Sequence, residues 1–101
     1  MSTTLPTKDP VETPVINFLF GSEMLPGETI ASATVVSTVI AGADPAPAAV
    51  LSGTFDLNTP SEVHQGVHGG VDGTTYKLRC VGTLNTGRIL VRTAIMPVAV
   101  L

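Results

Sequence analysis

The chain has 101 residues, 44% hydrophobic and only 13% charged, with a formal net charge of −3 and no tryptophan. That length fits one domain, near the size at which a single β core folds unaided. One cysteine excludes an internal disulfide framework, and five basic residues against eight acidic ones exclude the broadly basic surface of a general nucleic-acid binder.

Charged residues ordinarily make up about a quarter of a soluble domain. Here Ala, Val and Thr take their place, giving more apolar surface than one small core can hold. The expected outlet is a subunit interface. All eight acids lie at or before Asp72, accompanied there by Lys8 alone, and the other four basic residues, Lys77, Arg79, Arg88 and Arg92, all follow. This asymmetry predicts a protein partner of complementary charge, with no nucleic acid involved. The N-terminus lacks the apolar core of a secretory signal. The apolar stretch from Ile89 to Leu101 is interrupted by Arg92 and Pro97 and is too short to cross a bilayer. A soluble chain made in the cytoplasm, away from membranes, is expected.

Residues 1–14 hold Pro6, Pro10 and Pro14. Proline lacks the N–H that a strand interior needs, so an extended arm is expected rather than a paired strand, either disordered or packed on a neighbouring subunit. Val15 to Phe20 is a compact apolar run and the first strand. Gly21 ends it, and Pro26-Gly27 sits at the tip of a turn whose Leu25 is expected to plug the end of the core. A second strand runs from Thr29 to about Ile40. Ala31, Ala33 and Val35 face one way, and a switch of side near Val36 suggests a bulge.

Ala41 to Ala49, with Asp44-Pro45 and Pro47, reads as a loop. Val50 to Leu57 is a third strand, Asn58-Thr59-Pro60 a turn, and Glu62 to His68 a fourth strand. Gly69-Gly70-Val71-Asp72-Gly73 then turns the chain into a strand headed by Tyr76, the chain's one tyrosine. The turn Asn85-Thr86-Gly87 leads to a last strand from Arg88 to Val98. With no helical periodicity, six strands at short spacing predict residues 15–101 to be a single all-β antiparallel sandwich behind the arm.

Alternation places Tyr76, Leu78 and Cys80 on one face of their strand and Lys77, Arg79 and Val81 on the other. On the last strand Ile89, Val91 and Ile95 share a face opposite Arg88, Leu90 and Arg92. Burying both apolar sets puts Lys77, Arg79, Arg88, Leu90 and Arg92 together on the outer face. Like charges opposite one another weaken a sheet. Such a face is read either as a solvated surface or as a subunit interface for an acidic partner.

No catalytic constellation stands out, and neither a metal nor a cofactor is expected. His64 and His68 have a metal-ligand spacing, but that spacing works on a helix; on a strand it separates the rings by about 13 Å. The glycine-rich turn lacks the Gly-Lys-Ser/Thr ending of a phosphate loop. An enzyme is not expected, and Cys80 reads as a small core residue.

Taken in order, Lys8-Asp9-Pro10, the apolar strand through Phe18, Leu25, Gly27-Glu28-Thr29-Ile30, Gly69-Gly70-x-x-Gly73-x-x-Tyr76 and Gly87-Arg88 resemble the small tailed-phage virion proteins called fibre–tail adaptors. The resemblance spans nearly the whole chain. It departs where the family places tryptophans, here Leu19-Phe20 and Val35-Val36, and where it places an acid, here Asn17. It implies an immunoglobulin-like antiparallel β-sandwich of six to seven strands. It also implies a structural virion protein in a multi-copy ring at the tail or neck that joins fibres or tail components. A fibronectin-III or bacterial immunoglobulin-like binding module is the alternative on the residues alone.

Overall fold

The computed structural model describes residues 2–56 and 61–101; the expected turn at Asn58-Thr59-Pro60 lies outside them. Among the described residues seven strands form two sheets: β1 (Ser2–Thr4), β2 (Val15–Leu19), β3 (Ile30–Ala41), β4 (Leu51–Asp56), β5 (Glu62–Val67), β6 (Thr74–Leu84) and β7 (Ile89–Val98). One sheet has the order β1-β7-β6-β3 and the other β2-β5-β4. All pairings are antiparallel except β1 with β7. The orders β3-β6-β7 and β2-β5-β4 reproduce the C-F-G and B-E-D arrangements of the immunoglobulin-type sandwich.

The core lies between the sheets and is built by alternation. Tyr76, Leu78 and Cys80 are each fully buried, and Met96 and Ala94 face the first two across β7. Ile16, Phe18 and Phe20 come from β2 and its end, and Val63 and Val67 from β5. Fully burying one such side chain stabilises by roughly 1.5–3 kcal/mol. Burial also pushes the Cys80 thiol up to about 11, as expected of an inert core cysteine.

Four expectations are corrected. The N-terminal residues pair: Ser2–Thr4 lie parallel to Thr93–Ile95, Leu5 N–H bonds Ile95 O, and Lys8 N–H bonds Pro97 O. The three prolines only limit that pairing, since the strand stops before Pro6 and resumes as a single bridge at Lys8. The register of β3 does not shift near Val36. It shifts at Ile30/Ser32 and Val39/Ala41, and between them Ser37 faces the core opposite Leu78 while Val36 faces out opposite Arg79. Leu25 is 58% exposed, and its neighbour Met24 packs against the core. Pro47–Val50 forms one 3₁₀ turn that ends the expected loop and takes in Val50, so β4 starts one residue later than expected; proline stands at the start of the turn, where no N–H is needed.

The fourth correction concerns β7. Leu90, Arg92, Ala94, Met96 and Val98 point inward, and Ile89, Val91, Thr93 and Ile95 point outward. The reason is the connection. Leu84 N–H bonds Arg88 O across the three residues Asn85-Thr86-Gly87, with Gly87 at φ 90°. A three-residue loop pairs even-numbered residues of β6 with even-numbered residues of β7, so Arg92 lies opposite the core-facing Cys80.

Candidate subunit interface

The structure separates the five residues expected to share a face. Lys77 and Arg79 stay on the outer face of the four-stranded sheet, opposite Ile95 and Thr93 on β7 and Thr38 and Val36 on β3. Leu90 turns inward against the core. Arg88 sits beyond the sheet, at the end of the sandwich. Arg92 is 7% exposed, between the sheets.

Each displaced arginine has a structural post. Arg88 donates through Nε and Nη2 to the two oxygens of Glu28, at 3.0 and 3.1 Å, and through Nη2 to Glu23 O at 2.7 Å. Glu28 also accepts from Thr86 Oγ1 at 2.5 Å and Leu25 N–H at 2.6 Å. Led by the Thr86 bond, this set holds the Glu28 carboxyl below its ordinary value. The group ties the 24–28 turn to the β6–β7 hairpin. Arg92 donates to Leu19 O at 2.9 Å and Val91 O at 3.0 Å, and lies 5.2 Å from the centre of the Phe20 ring. Its Nη2 is 3.3 Å from Glu23 Oε1, which balances the charge.

The opposite end is held by a second set. Val71 N–H donates to Tyr76 Oη at 2.9 Å, and Tyr76 O–H donates to Asp44 Oδ2 at 2.7 Å. A tyrosine near the start of this strand, bonded back to the backbone just upstream, is the tyrosine corner of immunoglobulin-type sandwiches. Lys8 is buried and donates to Gly69 O at 2.7 Å and Asp9 O at 2.9 Å, and desolvation lowers its ammonium pKa. Gly70 has φ 99°, and a Cβ there would stand 3.0 Å from Val98.

What remains on the outer face is distinctive. None of the four strands of this sheet contains Asp or Glu. Around Lys77 and Arg79 lie Val36, 54% exposed, and Ile40 at the second β3 bulge; Ile89, 62% exposed, lies farther along the sheet, opposite Thr83. The other sheet's outer face carries Glu62, with His64 Nε2 2.9 Å from its Oε1, beside exposed Val15 and Leu19. Among the described residues no three His, Cys, Asp or Glu gather as a metal would need, and no helix is long and apolar enough to cross a membrane.

A family model described as "Podophage GP4 fiber-tail adaptor protein gp77" matches residues 8–97. The chain belongs to this Gp77 family. It is thus a structural protein of the phage tail, of a kind that joins tail and fibre proteins, and its family is generally non-enzymatic. No curated protein matches the chain significantly. The residues that carried the resemblance in the sequence now have positions. Lys8-Asp9, Gly69-Gly70, Gly73 and Tyr76 gather at one end of the sandwich, and Gly27-Glu28-Thr29 with Gly87-Arg88 at the other. They fix the fold. The signal that Arg92 faces inward was also in the sequence, in the three-residue length of the Asn85-Thr86-Gly87 turn.

Proposed function

We propose that this adaptor forms a multi-copy ring at the tail or neck of the virion, and that the outer face of the four-stranded sheet is its contact with the next subunit. The supporting observation is an acid-free face where Lys77 and Arg79 sit beside exposed Val36 and Ile40. A partly desolvated contact of this kind needs an acidic, apolar counterpart. Glu62 with Val15 and Leu19, on the opposite side of the same molecule, has that chemistry. Unlike surfaces on opposite sides make head-to-tail contacts, and these close into rings when the rotation permits. The fibre and its tail partners then attach to what the ring leaves open.

Native mass spectrometry of the purified protein tests this reading. A multi-copy mass is expected for the wild type, with loss of the oligomer in the double variant Lys77→Glu/Arg79→Glu and an unchanged circular-dichroism spectrum. A double variant that keeps the wild-type oligomer mass would overturn the assignment of this face. Arg92→Glu is not a test of the interface, because Arg92 is buried.

A further inference from the structure

Strand β2 has one neighbour, β5, and its other edge is unpaired among the described residues. Pro14 O accepts from Val67 N–H and Ser61 O from Phe20 N–H, so the even-numbered residues of β2 bond to β5. In an antiparallel ladder these alternate with residues whose backbone groups face away. The N–H and C=O of Val15, Asn17 and Leu19 therefore point to the open side, where Arg92 takes the carbonyl of Leu19.

The other edges are blunted, as edges ordinarily are. β1 is three residues long and precedes Pro6, β3 shifts register at both ends, and β4 is irregular between Ser52 and Asp56. β2, Val-Ile-Asn-Phe-Leu, has no proline, charge or bulge. Two cavities of about 540 and 310 Å³ run along it, meeting at Leu5, Ile16 and Asn17, with the β1 arm as the facing wall. Arg92 lines the larger one, and its buried Nη2 has no hydrogen-bond partner. That nitrogen is enclosed by the protein, and Glu23 Oε1 at 3.3 Å balances its charge.

We propose that this edge receives an extended segment of the attached fibre as an added strand. Its backbone bonds Val15, Asn17 and Leu19, and its alternate apolar side chains enter the groove. Main-chain bonding to an open edge, with alternate side chains in pockets, is an established mode of peptide capture. The inference rests on membership of the adaptor family; it uses the backbone edge of β2, whereas the ring contact proposed above uses the outward side chains of Val15 and Leu19 on the same strand.

The test uses tails purified from virions. Amide exchange at Val15, Asn17 and Leu19 is expected to be slower in the tail than in the isolated protein. A cross-linker at Asn17→Cys is expected to capture the fibre polypeptide. Asn17→Pro removes only an outward N–H, and is expected to give tails without fibres at unchanged adaptor oligomer mass. Cross-linking to Asn17→Cys of a second copy, equally fast exchange in tail and isolated protein, or normal fibre attachment by Asn17→Pro would each overturn the proposal. If Asn17→Pro does not fold, the wild-type exchange measurement decides.

Discussion

The ends of this sandwich and its flat sides are built from different chemistry. At the ends, single polar side chains serve several backbone segments at once: Glu28 gathers Leu25, Thr86 and Arg88, and Tyr76 links Val71 to Asp44. On the outer side of the four-stranded sheet, Lys77 and Arg79 have no acid on their own sheet to pair with, and Val36 and Ile89 lie open. Groups satisfied within the molecule hold the fold. Groups left unsatisfied by it are available to others.

Substitutions at the ends should therefore reduce stability, and substitutions on the sides should alter assembly. The largest loss is expected at the tyrosine corner. Tyr76→Ala leaves a cavity in the core and should cost about 3–5 kcal/mol in chemical denaturation. Tyr76→Phe keeps the ring but leaves the Val71 N–H and Asp44 Oδ2 without their partner, and should cost roughly 1–3 kcal/mol. Gly70→Ala should come next, at about 1–3 kcal/mol, because it places a side chain at φ 99° against Val98. A Gly70→Ala protein as stable as the wild type would contradict that packing.

Acid should act on the same ends. The Asp44 carboxyl is held below its ordinary value by Tyr76 and then by Ala46 N–H, Asp9 by Val11 and Leu101 N–H, and Glu28 chiefly by Thr86. Each folded-state pKa lies below the unfolded one. The stability these groups contribute is complete above about pH 4.5 and is lost as pH falls through the folded values. The thermal midpoint should be flat between pH 7 and 5 and drop below about pH 4. Tyr76→Phe should lose less on acidification than the wild type, since the first-ranked support of the Asp44 carboxylate is already gone. The smallest effect on stability is expected at Arg79→Glu, within about 0.5 kcal/mol.

The same contrast explains what could be read from the sequence. Strand positions were legible because Gly and Pro punctuate them and because Tyr76, Leu78 and Cys80 alternate cleanly with Lys77, Arg79 and Val81. The face of β7 was misread because both of its sides are apolar. Ile89, Val91 and Ile95 compete with Leu90, Ala94, Met96 and Val98, and only the turn length decides between them. Val36 was misleading for the same reason: it is apolar yet faces outward, so hydrophobicity alone does not mark the core side of β3. The arm's pairing with β7 was hidden by its prolines. The roles of Glu28 and Lys8 were unreadable, since each depends on partners some 60 positions away. The positive pair Lys77 and Arg79 was legible from alternation alone, whereas the separation of Arg88 and Arg92 from it required the register.

The most direct measurement is a paired one, of thermal midpoint and native oligomer mass, on Tyr76→Phe and Arg79→Glu. Tyr76→Phe is expected to lower the midpoint at unchanged oligomer mass below the transition. Arg79→Glu is expected to reduce the oligomer mass while the dissociated subunit stays folded. If Arg79→Glu instead destabilises the subunit as much as Tyr76→Phe does and leaves the oligomer intact, the division between ends that hold the fold and sides that hold the assembly is wrong.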